Sequence, residues 1–105
     1  MFIKEIDPIT LKTWMRDGKA ILVDVREPVE VARERIVEAH HLPLSRFDPG
    51  QLPDHDDKIV VYHCATGNRT GMLGGQLTAS TPQASDVYHL GGGIMAWKMA
   101  GHAVS

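Results

Sequence analysis

Two short apolar runs stand out along the chain: Ala20-Ile21-Leu22-Val23-Asp24-Val25, interrupted only by Asp24, and Ile59-Val60-Val61-Tyr62. Runs this short and this rich in branched residues predict strands buried on both faces of a parallel sheet. Elsewhere the apolar spacing lengthens to that of helices. Leu11, Trp14 and Met15 form a helical stripe, with Asp7 placed to cap it, Pro8 pre-set for its first turn and Gly18 ending it. Pro28 opens a short helix carrying Val29, Val31 and Ala32, and a brief strand is expected around His40 to Leu42, before Pro43. The stretch from Ser45 to Asp57 is rich in turn formers. After the second run, His63 leads to Cys64, Gly67 and Asn68 break the pattern, and a helix is expected from about Thr70 to Ser80. Gly71, Gly74 and Gly75 weaken that helix by ~1 kcal/mol each relative to Ala, which close packing on the sheet would offset. Asp86 to Leu90 alternates like a final strand, Gly91-Gly92-Gly93 reads as a turn, and Ile94, Trp97 and Met99 mark a closing helix ended by Gly101.

Strands alternating with helices in this way predict a right-handed, mainly parallel α/β sheet whose ligand site lies beyond the carboxyl ends of the strands. A length of 105 residues fits one domain, residues 1–105, with a single core. Lysine and arginine number 11 against 13 aspartates and glutamates, and neither sign forms a block, so a nucleic-acid partner is not expected. Ala20 to Val23, the longest purely aliphatic stretch, is far short of the ~20 residues that cross a bilayer. The first five residues lack the basic and apolar regions of a signal peptide, which makes the cytoplasm the expected location. Of the six histidines, His40, His41, His55, His63, His89 and His102, none has a recognised ligand spacing with another or with Cys64, so no metal is expected. Trp14 and Trp97 fit the apolar faces of their helices and read as core.

The single cysteine, Cys64, can form no internal disulfide and is either buried filler or a reactive thiol. Its place at the end of a buried strand favours the second reading. Cys64-Ala65-Thr66-Gly67-Asn68-Arg69-Thr70 links that strand to a helix, so successive backbone N–H groups can point at whatever sits on the sulfur. Such donors stabilise a thiolate, the competent nucleophile, and lower the thiol pKa from ~8.5 into the ~3.5–7.5 range. A cation at Arg69 needs a compensating anion at a helix start, and Asp24 needs a partner if buried, so an Asp24 to Arg69 ion pair is one expectation. The other is Asp24 capping the turn that follows it. Arg26 and Glu27, in the loop leaving the strand of Asp24, are each expected either to border the site or to face water. His63 follows the strand alternation away from Cys64 and is a poor base for it.

Four stretches in order resemble the single-domain rhodanese sulfurtransferases: Leu22 to Pro28, Glu34 to Ala39, Cys64 to Thr70, and Leu90 to Trp97 with Gly101. The second departs from the family's usual Gly-His-Ile-Pro-Gly-Ala, keeping only Ile36 and Ala39, and Ala103 replaces a usual proline. The resemblance implies a three-layer fold, with a mainly parallel central sheet of about five strands and helices on both faces. It also implies a thiosulfate sulfurtransferase, in which Cys64 accepts a sulfane sulfur as a persulfide and passes it to cyanide or to a thiol such as glutathione or thioredoxin. Ala65, Thr66, Gly67, Asn68 and Arg69 would hold the terminal sulfur, and Asp24 and Arg69 would match the family's buried pair, with Arg26 in support. No cofactor is implied. The likeness extends to a subgroup whose domain precedes a short membrane anchor, so the chain is expected to be either a complete cytosolic protein or an excised domain. Two other classes are a non-catalytic binding module and a cysteine phosphatase or arsenate reductase. Cysteine phosphatases place five residues between cysteine and arginine, whereas four lie between Cys64 and Arg69 here.

Overall fold

A computed structural model describes residues 3–105. Its strands are β1 (Lys4–Ile6), β2 (Ala20–Asp24), β3 (His40–His41), β4 (Ile59–His63) and β5 (Asp86–Leu90). They form one sheet in the order β1-β5-β4-β2-β3, with every neighbouring pair parallel. β2, β4 and β5 coincide with the apolar or alternating runs, and β3 falls where a brief strand is expected around His40 to Leu42. The fifth, β1, is three residues of mixed polarity at the sheet edge, and it carries no periodic signal of its own.

The helices are α1 (Pro8–Arg16), α2 (Pro28–Arg33), α3 (Asn68–Met72), α4 (Gly74–Ala79) and α5 (Gly93–Met99). Asp7 caps α1 by accepting the Thr10 N–H at 2.9 Å. Short 3₁₀ turns at Leu44–Arg46 and Pro49–Gln51 occupy the turn-rich stretch. The single helix expected from Thr70 to Ser80 is instead two, joined at Leu73. At the break Gly74 lies against Ile3, where a Cβ would come within 2.7 Å of that side chain.

Each face of the sheet has its own core. Val23, Val25, Val60, Tyr62, Cys64 and Val87 pack beneath Leu73 and Leu77 on one face. Leu22, Val61 and Leu90 pack with Leu11, Ile94 and Trp97 of α1 and α5 on the other, which makes three layers. Trp97 is fully buried and its indole N–H donates to the Ala103 carbonyl at 3.0 Å, so it is core, as is the half-buried Trp14. The chain places β3 on one side of β2 and β4 on the other. The loops leaving β2 and β4 therefore meet at the carboxyl end of the sheet, the position where α/β folds bind ligands.

Candidate active site

Cys64 follows the last residue of β4 and is fully buried. The chain turns sharply after it through Gly67, whose φ is +88°. A side chain there would be strained by that angle and would also come within 3.1 Å of the Gly92 nitrogen. This turn aims the Gly67 N–H at the sulfur, with N···Sγ 3.2 Å. Burial pushes the Cys64 thiol up, but the backbone N–H groups of Thr70, Thr66 and Gly67 and the Thr70 hydroxyl outweigh it, and the net direction is down. The loop thus favours a thiolate through hydrogen bonds rather than through exposure. Thr66 and Asn68 are exposed, while Ala65, Gly67 and Arg69 are half-buried.

A second support comes from the glycine run. A Cβ on Gly93 would overlap the Cys64 carbonyl oxygen and lie 2.6 Å from the Ala65 carbonyl carbon. Ile94 N–H donates to the Cys64 carbonyl at 3.0 Å and Met95 N–H to the Ala65 carbonyl at 3.2 Å. Gly91 to Gly93 is therefore a seat for the cysteine loop as well as a turn. A three-glycine run has an adequate explanation as a turn, and only the packing of α5 against the loop reveals the other role.

The expected Asp24 to Arg69 pair does not form. Asp24 instead takes Arg26, through Nη2–H at 2.8 Å and Nε–H at 3.0 Å, and it also accepts the Arg26 backbone N–H at 2.9 Å. Asp24 thus caps the turn after its own strand, the other reading open to it. Both side chains are almost completely buried, and Arg26 also donates to the Glu34 carbonyl at 2.9 Å, so Arg26 neither borders the sulfur nor faces water. Burial pushes the Asp24 carboxyl up, but the Arg26 contacts and nearby His63 more than offset this and hold it below the usual carboxylate range. His63 Nε2 lies 3.4 Å from Asp24, on the sheet face opposite Cys64, as strand alternation requires. Burial lowers the His63 pKa despite the opposing pull of Asp24.

Arg69 pairs with Glu30 of α2, Nη1 and Nη2 reaching the two carboxylate oxygens at 2.9 and 2.7 Å. The Arg69 hydrogen bonds lower the Glu30 carboxyl to about 2, and the same bonds raise Arg69. Glu30 also accepts the Glu27 N–H at 2.9 Å, so one carboxylate ties α2 to the cysteine loop. Glu27 itself accepts the Ser45 hydroxyl at 2.5 Å and serves the turn beyond β3. Sequence reasoning missed Glu30. Its signal was a carboxylate three residues after the N-cap Glu27, where it can reach back to that residue's free N–H.

Residues 7–100 match the Rhodanese-like domain family. The chain belongs to that family. An uncharacterised protein of Synechocystis is 44% identical over 96 residues, covering 91% of this chain. The chain spans 52% of the length of that relative. A sulfurtransferase of Allochromatium vinosum is 31% identical over 100 residues, covering 94% of this chain and 92% of the relative. Among solved structures, a rhodanese-related protein of Thermoplasma volcanium superposes with a TM-score of 0.76 at 26% identity, covering 97% of each chain. The Cys64 loop leaves the carboxyl end of β4, the central strand of the sheet.

Proposed function

We infer that this rhodanese-like chain is a sulfurtransferase that carries a sulfane sulfur on Cys64. The observation that bears most weight is the Gly67 N–H on the sulfur at 3.2 Å, in a loop that pulls the thiol pKa down. In the first step the Cys64 thiolate attacks the outer sulfur of thiosulfate. A Cys64 S–S bond forms, the S–S bond of thiosulfate breaks, and sulfite leaves with the electron pair. In the second step cyanide or a thiolate, such as that of glutathione or a thioredoxin, attacks the terminal sulfur, and Cys64 departs as thiolate. The relationship to the Allochromatium vinosum sulfurtransferase supports this chemistry. So does the loop size: four residues between Cys64 and Arg69 suit one added sulfur, whereas a transferring phosphoryl group needs donors to three equatorial oxygens. Ala65 to Arg69 hold the terminal sulfur in this reading, and Asp24 with Arg26 is scaffold beneath the loop. A thiol that must stay reduced between turnovers fits a reducing compartment such as the cytoplasm.

Intact-protein mass after thiosulfate treatment tests the proposal. The wild type should gain one sulfur atom and lose it to cyanide, and Cys64→Ser should gain none while remaining folded. A wild type that takes up no sulfur but hydrolyses aryl phosphates through Cys64 would replace sulfur transfer with phosphatase chemistry. A wild type that does neither would leave the binding-module reading.

A further inference from the structure

A chain of polar contacts leads away from Cys64 that sulfur transfer, as derived above, does not use. The Thr70 hydroxyl lies 3.7 Å from Cys64 Sγ and 2.8 Å from His89 Nδ1, and His89 Nε2 lies 3.5 Å from the Glu5 carboxylate. These contacts join α3, β4, β5 and β1, four elements that come together only through the sheet order. Thr70 is fully buried and His89 nearly so, whereas Glu5 is largely exposed. We propose that His89 is a positioning residue that sets the protonation of Cys64 through the Thr70 hydroxyl.

The atoms require a particular arrangement. Glu5 beside Nε2 favours a proton there, which leaves Nδ1 of the neutral ring as an acceptor for the Thr70 hydroxyl. When Cys64 ionises, its proton passes to the Thr70 oxygen while the Thr70 proton passes to His89 Nδ1. The products are a thiolate, an intact hydroxyl and an imidazolium whose Nε2–H faces Glu5. Thr70 then donates to the thiolate and accepts from the imidazolium, so both ends of the chain are satisfied. The other groups around His89 leave it as the proton acceptor. Tyr62 lies opposite it in the β4–β5 register, and burial raises that phenol to about 12, so it stays protonated. From α3, besides Thr70, Gly71 faces the ring, where an added Cβ would sit 3.5 Å from His89 Cε1. Arg69, on the same helix, is engaged by Glu30. Burial lowers the His89 pKa against the opposing pull of Glu5, so the resting ring is neutral and Nδ1 has a lone pair for the Thr70 hydroxyl.

This inference rests on Cys64 being the reacting group, and its test reads the thiolate directly. Far-ultraviolet thiolate absorbance is titrated with pH against a Cys64→Ser blank, for wild type, His89→Asn, His89→Leu and Thr70→Val. Asn places a hydrogen-bonding atom near the Nδ1 position but takes no proton. The wild type should ionise in two coupled steps, as interacting sites do. Each variant should show a single step with its midpoint about one unit higher, hence an about tenfold smaller thiolate fraction on the acid limb. The double variant Thr70→Val/His89→Asn should go no further than either change alone. A His89→Asn titration that overlays the wild type would overturn the proposal, because the hydrogen bond alone would then account for the contact. Additive shifts in the double variant would also overturn it, since Thr70 would not be the link. If His89→Leu does not fold, the Asn and Val variants decide the matter. Sulfur uptake from thiosulfate, measured by mass on the same samples, separates the two claims: its absence in a wild type with two-step titration refutes only the sulfur carrier.

Discussion

Replacing Asp24 by Asn tests how the buried charges are partnered. Asp24 and Arg26 have side chains only 3% exposed, and the carboxylate holds the arginine by Nε, Nη2 and backbone N–H. With the charge removed, Arg26 keeps only neutral acceptors, the amide oxygen introduced at position 24 and the Glu34 carbonyl, and no anion. An uncompensated buried charge of this kind costs about 3–5 kcal/mol. For a chain this long that corresponds to a fall in Tm of roughly 15–20 °C. Glu30→Gln removes an ion pair whose side chains are 28% and 36% exposed, and it should cost no more than about 1 kcal/mol. Urea denaturation of single and double variants measures both effects and their coupling. Asp24→Asn and Arg26→Gln should be strongly non-additive, while Asp24→Asn and Arg69→Gln should add to within about 0.5 kcal/mol. Coupling that is larger with Arg69 than with Arg26 would refute the assignment and restore the pair expected from the sequence.

Gly93→Ala places a methyl group on the Cys64 carbonyl at a residue with φ +60°, so stability should fall by about 1–3 kcal/mol. Thiosulfate-dependent turnover, assayed at a temperature where the variant is folded, should fall as the loop shifts; an unchanged rate would show that the loop does not depend on its seat. The His63 and His89 pKa values are both lowered by burial, so the unfolded chain binds protons that the folded one does not. Stability should therefore decline as pH falls below the ordinary histidine value of 6.5, seen as a decreasing urea midpoint. The Asp24 pKa is lowered, so its contribution is complete above the ordinary value of 3.8 and is lost as pH falls through the folded one, which Asp24→Asn should abolish. Inserting one Gly after Thr66 should weaken sulfur uptake by widening the turn that aims the Gly67 N–H at the sulfur, and mass measurement reads it directly.

The sequence by itself determined the elements whose signal is local. Continuous branched runs marked β2 and β4, Asp7-Pro8 marked the start of α1, and Cys64 followed by Gly67 marked a reactive loop at a strand end. These depend on periodicity and on backbone preferences that each segment carries within itself. Tertiary structure decided which side chains meet. Asp24 and Arg26 share one turn, and the capping backbone N–H holds the carboxylate where the guanidinium reaches it, leaving Arg69 to Glu30 of α2. β1 acquires its strand only from β5 beside it, and the helix after Cys64 breaks at Leu73, next to the close approach of Gly74 to Ile3. His89 is one polar residue in a short alternating strand, and nothing local distinguishes it from a solvated one. Parallel register sets it beside Cys64's strand, and burial with Thr70 then removes the water that would otherwise satisfy its ring.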